Sequence, residues 1–365
     1  MHPVADYEHG GNVYRMAQSL NVDPQTILDF SSNINPLGMP EPLKERFIAS
    51  IDKLTCYPDP EYRALRENIA HYLDIPYSQI IPGNGASEII ALLLNSLRPK
   101  TLLLCAPTFS EYENAARLAG VDIQYHTLSK EDGFQLNLTK LAAHLDNVDC
   151  LFLCNPNNPT SALLSLAELT NLADLTKHKK IIFVIDESFI ELTSEGNRNS
   201  MVPRLKSFDN LFIIRSFTKI FAIPGLRLGY GLGSPQWIEM MAQSRLPWSV
   251  NAIACLVGDY LWEAPDFLDK TSKWLVTEKN WLYEELQKIS CLKPFPPQSN
   301  FILVQILSPQ LSAATLQDKL ATQGILIRNA ANFHSLNEQF FRVAVKNRIH
   351  NERLVKILQQ VMTGR

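Results

Sequence analysis

The sequence predicts an α/β fold, with a large lobe on a mostly parallel sheet flanked by helices and a smaller α/β lobe after it. Three observations predict it. Continuous apolar runs at 101–105, 150–154, 181–185, 211–214 and 228–231 alternate with helical patterns, as strands buried on both faces of a parallel sheet do. Most of these runs end on polar or turn-forming residues, namely Pro107, Asn155-Pro156, Asp186 and Arg215; in open α/β sheets ligands bind just past such strand ends. After Trp248 the texture changes: 252–290 reads as long helix, 299–305 and 340–345 as strands, and 351–362 as a closing amphipathic helix.

The first forty residues hold turn formers, Gly10-Gly11 and Asn35-Pro36-Leu37-Gly38, and are expected to form an arm over the lobe boundary. The expected division is therefore an arm at 1–40, a large domain at 41–255 and a small C-terminal domain at 256–365. With 365 residues, 46% of them hydrophobic, the chain is long enough to bury a large core. A net charge of −3 without a basic run points away from nucleic acid. The six cysteines form no C-x-x-C pair, and Cys150 and Cys154 have no His or Cys cluster beside them. They read as buried thiols of a reducing compartment and not as metal ligands. The N-terminus has no apolar signal core and no stretch is long enough to span a bilayer, so a soluble cytoplasmic protein without a membrane partner is expected.

Lys219 carries the most chemical information. It lies in Arg215-Ser216-Phe217-Thr218-Lys219, with Arg227 eight residues on and Asp186 upstream at a strand end. A lone lysine is nearly always a solvated charge. Here Ser216 and Thr218 supply hydroxyls for a phosphate and Arg227 a bidentate cation. A lysine near cations loses its proton more readily, as an imine-forming amine must. Asp186 at a buried strand end needs a partner: a protonated pyridine nitrogen, an arginine or a helix N-terminus. Gly83-Asn84-Gly85-Ala86-Ser87-Glu88 precedes the apolar helical stretch 89–97 and reads as an anion site at a helix N-terminus or as a plain helix entry. Asn155 to Thr160 is a turn by its Pro and Asn content, with an amide to aim at a ligand. Phe109 is either a stacking ring or an ordinary core aromatic.

Together these residues resemble the fold-type I pyridoxal-phosphate enzymes of the aspartate-aminotransferase-like group, along nearly the whole chain and in the family's order. The resemblance implies a seven-stranded large domain and pyridoxal 5'-phosphate as cofactor. It implies that Lys219 forms the Schiff base, that Asp186 pairs with the pyridine nitrogen and that Asn158 bonds the phenolic oxygen. Gly85, Ala86, Ser216, Thr218 and Arg227 would hold the phosphate and Phe109 would stack on the ring. Tyr57 matches a tyrosine that reaches the phosphate of the partner subunit, which implies a homodimer with shared active sites. Two departures stand out. Phe189 occupies the position of a family tyrosine, and Ser161 that of a glycine after Asn-Pro-Thr.

Two branches of the group handle phosphorylated amines, the histidinol-phosphate aminotransferases and the threonine-phosphate decarboxylases of cobalamin biosynthesis. The chain looks closer to the second, through His9-Gly10-Gly11-Asn12, the segment 29–38, Asp186-Glu187-Ser188-Phe189-Ile190 and Pro247-Trp248-Ser249-Val250-Asn251. That likeness implies decarboxylation of L-threonine O-3-phosphate to aminopropanol phosphate. Arg342 matches an arginine that grips the substrate carboxylate in related aminotransferases, and Arg328, His9, Gly10, Asn33 and Asn158 are further substrate-binding candidates. For Arg328 a surface ion pair is the plain alternative, and for His9 an unstructured terminus. An aminotransferase would need the Cα hydrogen out of the ring plane where a decarboxylase needs the carboxylate, so reaction choice is a matter of positioning. A cofactor-binding regulator is a third reading, which would normally need a DNA-binding segment.

Overall fold

The computed structural model of the chain describes residues 10–363. Seven strands form the large sheet: β1 (Ile80–Gly83), β2 (Thr101–Ala106), β3 (Asp122–Thr127), β4 (Cys150–Cys154), β5 (Ile182–Asp186), β6 (Leu211–Ser216) and β7 (Gly229–Leu232). Their order is β1-β7-β6-β5-β4-β2-β3. The neighbours from β6 across to β3 are parallel, whereas β7 runs antiparallel to both β1 and β6. The run at 228–231, expected among the parallel strands, is thus the one reversed strand. Between β6 and β7 the chain forms only two short turns of helix, Phe217–Ile220 and Pro224–Leu226. It has no crossover helix to carry it back across the sheet.

The apolar runs are apolar because both faces are covered. On β2, Leu102 and Leu104 join the core on one face with Ile89, Ile90 and Leu93 of helix α1 (Ala86–Leu97). Leu103 and Cys105 join the core on the other. The same alternation splits Val184 and Ile214 from Ile185 and Ile213. The two strands without an apolar run, β1 and β3, are the sheet edges. Pro82 is tolerated in β1 because an edge strand has one unpaired side.

The second sheet is antiparallel throughout, in the order β10-β11-β9-β8, with β8 at Leu292–Pro294, β9 at Phe301–Ile306, β10 at Arg328–Asn329 and β11 at Phe340–Ala344. It has a core of its own, including Leu282, Ile302, Val304, Phe341, Val343 and Leu354. The stretch expected as one long helix at 252–290 is three: Ala252–Cys255, Val257–Tyr260 and the long Ala264–Gln287. Pro265 stands in the first turn of the last, where its missing N–H costs nothing. The N-terminal arm is shared between the lobes. Phe30 belongs to the second core, and Leu28–Asp29 pairs in parallel with Ile325–Leu326. Asn35 donates to the Ile220 carbonyl and to Thr271, each at 2.9 Å. Among the described residues no helix is long and apolar enough to cross a membrane.

Candidate active site

A cavity of about 400 Å³ opens at the C-terminal ends of the parallel strands, walled by the arm and the second sheet. Lys219 lines it. The Ser216 hydroxyl accepts from the Thr218 N–H at 3.3 Å and so caps the short helix that carries the lysine. The arm is tied to the same turn, since the Asn35 N–H donates to the Lys219 carbonyl at 3.1 Å. Burial pulls the Lys219 ammonium down to about 8, with Arg342 and Arg227 pushing the same way and Asp29 opposing. Neutral amine is therefore far more abundant near neutral pH than an ordinary lysine would allow, though the ammonium still predominates there.

Asp186 ends β5 and is buried at 3% exposure. The Tyr112 hydroxyl donates to its Oδ2 at 2.7 Å and the Ser188 N–H to its Oδ1 at 2.9 Å. Burial pushes its carboxyl up, and these hydrogen bonds pull it back. Among the described residues it has no ion pair, so an arginine is not its partner. Ala86, Ser87, Ser216, Thr218 and Arg227 line one end of the cavity. Gly85 precedes α1 at φ 80° and ψ 166°, a region essentially reserved for glycine. A Cβ there would stand 2.3 Å from Arg227 Nη2. The first turn of α1, with no side chain capping it, and a guanidinium packed onto bare backbone make a cradle for an anion.

The other end is built by the second sheet and the arm. Arg328 and Arg342 are direct cross-strand partners on β10 and β11, both buried. Arg342 donates to the Asn158 Oδ1 through Nη1 and to the Ser31 carbonyl at 2.6 Å through Nη2. With its oxygen taken, Asn158 has its NH₂ left to donate. Arg328 Nη2 donates to Asn332 at 2.7 Å, and its guanidinium lies 5.1 Å from the centre of the Phe333 ring. Gly10 and Asn33 also line the cavity; a Cβ on Gly10 would meet the Ser31 carbonyl at 2.1 Å. Phe109 lines it edge-on to Tyr112, with ring centres 5.6 Å apart.

Tyr57, expected to serve the partner's site, does not line this cavity. Tyr57 is 79% exposed and packs on Trp248, with ring centres 4.6 Å apart. His9 lies outside the described residues. Tyr112, Ser188, Ser31 and Phe333 also line the cavity and were not foreseen. Only Tyr112 had a signal, three residues after Phe109 at the start of a helical stretch and so on the same face. Phe189 lines the cavity edge-on to Phe301, ring centres 5.1 Å apart. Ser161 adopts φ 63°, the left-handed conformation a glycine would take freely. Its Oγ accepts from the N–H groups of Gln298 (3.0 Å) and Ser299 (2.8 Å), which fixes the turn to the second lobe.

The wall residues fit a phosphorylated pyridine aldehyde: an amine of lowered pKa, a buried acid, a cationic cradle at one end and an amide donor between. Two buried polar atoms in the wall, Asn33 Oδ1 and Arg342 Nε, have no hydrogen-bond partner among the described residues, as befits a site that takes a polar ligand. Fold and cavity together define a pyridoxal-phosphate-dependent enzyme, and the chain belongs to the family described as aminotransferase class I and II, whose model matches residues 25–358. Within that family it is 37% identical to the threonine-phosphate decarboxylase of Salmonella typhimurium, over 98% of this chain and 97% of that one. It is 33% identical to the adenosylcobalamin biosynthesis bifunctional protein CobDQ of Leptospira interrogans, over 98% of this chain and 41% of that one. Among solved structures, the histidinol-phosphate aminotransferase of Clostridium acetobutylicum superimposes with a TM-score of 0.86 at 33% identity, covering 93% of this chain and all of that one.

Proposed function

We propose that the protein decarboxylates L-threonine O-3-phosphate to (R)-1-aminopropan-2-ol O-phosphate, a step of cobalamin biosynthesis, with pyridoxal 5'-phosphate held by Lys219. The bound cofactor supplies an electron sink for the carbanion left by carbon dioxide. The protein's residues do the rest. Gly85, Ala86, Ser216, Thr218 and Arg227 hold the cofactor phosphate. Asp186 keeps the ring nitrogen protonated, Asn158 donates to the phenolic oxygen and Phe109 covers the ring. Lys219, whose side chain lines the cavity, would serve as the group that returns a proton to the substrate carbon.

The observation that carries the substrate assignment is the pair Arg328 and Arg342. Two buried guanidiniums directly opposite on neighbouring strands repel each other, and Arg328 holds Arg342 below its ordinary value, after burial itself. An anion between them relieves that repulsion. A substrate phosphate held there, with His9, Gly10 and Asn33 around it, leaves the carboxylate to stand out of the ring plane, as decarboxylation needs. Phe189 brings no hydroxyl to the phenolic oxygen, which leaves that contact to Asn158.

The reading includes an arm at 1–40, a large domain at 41–255 and a small domain at 256–365. It places the enzyme in the cytoplasm, in keeping with six free cysteines. It also makes the active unit a homodimer, in which Tyr57 reaches the partner's cofactor phosphate. Ile48, Ile51, Leu54, Tyr57, Leu246 and Trp248 are large apolar residues left exposed on this chain, the kind of surface a second copy covers. The test incubates purified protein, confirmed by light scattering at twice the chain mass, with threonine phosphate and no keto acid. Carbon dioxide release with no consumption of cofactor is expected. Amino transfer from histidinol phosphate to 2-oxoglutarate, without release of carbon dioxide, would overturn the proposal.

A further inference from the structure

We infer that Tyr112 is a positioning residue that keeps the Asp186 carboxylate ionised and aimed at the cofactor ring through the hydrogen bond to Oδ2. This rests on the reading that Asp186 pairs with the ring nitrogen. Tyr112 stands in the first turn of helix α2 (Ser110–Leu118), fully buried, with its ring stacked on Phe152 at 4.2 Å between centres. Packing thus fixes the ring, and the 2.7 Å hydrogen bond to Asp186 is what its hydroxyl does with that fixed position.

The need for such a donor follows from where Asp186 sits. A carboxyl buried at a strand end tends to take up a proton, and a protonated acid cannot hold a pyridinium. The groups facing it from each neighbouring element are few. Cys154, at the end of β4, turns its thiol to the Pro156 carbonyl at 3.2 Å. Glu187, next in the chain, adds a negative charge that raises the Asp186 carboxyl further. From its own loop Asp186 receives the Ser188 N–H at Oδ1, and the Ser188 side chain lowers the carboxyl as well. Tyr112 is the side chain that covers Oδ2 with a donor. Burial and the nearby carboxylate hold the Tyr112 phenol well above its ordinary value, so it stays protonated and can only donate. Two donors on separate oxygens also fix the carboxylate plane, leaving the outward lone pairs for the ring.

The test compares the cofactor with 1-deazapyridoxal phosphate, in which a C–H replaces the ring nitrogen. Tyr112→Phe keeps the stacked ring and removes only the hydroxyl. It is expected to lower apoprotein affinity for the cofactor by roughly tenfold, the worth of a hydrogen bond to a charged group. The acid limb of cofactor binding should move up by roughly one pH unit. Affinity for the deaza analogue should be unchanged, because no ring nitrogen is there to pair. Equal losses for both ligands would mark a purely structural role, and no loss for either would dismiss the residue; each overturns the inference. Asp186→Asn is measured beside it. If that variant still prefers the natural ring, the Asp186 reading fails and the inference falls with it. If it loses the preference while Tyr112→Phe keeps it, the Tyr112 inference alone fails. Should Tyr112→Phe not fold, Tyr112→3-fluorotyrosine keeps the shape and donates more strongly. The acid limb should then move down, and an unmoved limb overturns the inference.

Discussion

Replacing Gly85 with alanine tests the phosphate cradle at its tightest point. At φ 80° and ψ 166° the backbone is in a region that costs a non-glycine residue about 1–3 kcal/mol. The new Cβ also falls 2.3 Å from Arg227 Nη2 and 2.9 Å from its Cζ. Arg227 is exposed and its guanidinium can swing away, so the clash is relieved by moving the cation. That removes the charge-assisted contact to the phosphate, worth about 1.5–3 kcal/mol, or roughly 10- to 100-fold in cofactor affinity. The assay titrates apoprotein with pyridoxal phosphate, following the visible absorbance of the lysine-bound cofactor, and melts the apoprotein in parallel. Gly120→Ala is the control. Gly120 also has a positive φ, 71°, but nothing lies within 4 Å of its Cβ position. The control should lose stability and keep its affinity, whereas Gly85→Ala should lose both. A Gly85→Ala protein that melts lower yet binds cofactor as tightly as wild type would refute the cradle.

Two further outcomes follow from the charges around the site. The Lys219 amine, pulled down to about 8, should capture pyridoxal phosphate at a rate that rises with pH and levels off above about 8. An ordinary lysine would keep climbing toward about 10.4. Lys219→Ala should show no visible band at any pH. By linkage, the unfolded lysine holds its proton when the folded one has lost it, so wild-type apoprotein should gain stability on that variant between those two values; no gain in chemical denaturation would count against the lowered pKa. Arg215→Met should unfold the protein about 3–5 kcal/mol more easily, because it strands two buried carboxylates. Adding Glu187→Gln and Glu191→Gln should restore part of the loss in the same melts, and a triple variant no more stable than the single would refute the ion-cluster account.

The central strands were readable because they are buried on both faces and so lose all polar alternation. The edges were not. β3, with the sequence Asp122-Ile123-Gln124-Tyr125-His126-Thr127, exposes every second residue or so, and β1 carries Pro82 and Gly83. The direction of β7 was illegible too, since its residues look the same whichever way the strand runs; only the short link before it decides. Lys219, Asp186 and Arg227 could be picked out as candidates from residue types near strand ends, and all three line one cavity. Tyr112 shares a helix face with Phe109 but reads as core there, and it is core except for its hydroxyl. The pairing of Arg328 with Arg342 depends on the register of two strands far apart in sequence, which no local pattern encodes.

The pleat explains how one pair of strands can hold both the reactive groups and their support. On β5 and β6, Val184 and Ile214 face one core and Ile185 and Ile213 the other. Continuing the period of two, Asp186 and Ser216 fall on the first face, and Glu187 and Arg215 on the second. There Arg215 donates to Glu187 at 2.8 Å and to Glu191 at 2.6 Å, all three buried. Ser200 adds a hydroxyl to Glu187 at 2.6 Å. This cluster ties the ends of the two strands together directly behind the residues assigned to the ring nitrogen and the phosphate. Those strands also set where Lys219 begins. The lysine, the acid and the cradle are therefore fixed relative to one another mainly by the large sheet, with the arm tied to the lysine turn through Asn35. Arg328 and Arg342 stand on the other sheet, linked to the site through Asn158 and Ser31. The residues proposed to hold the cofactor and the arginine pair proposed to orient the substrate thus stand on sheets with separate cores. A change in how the second sheet sits would act first on the arginine pair and would reach the proposed cofactor site through Asn158 and Ser31.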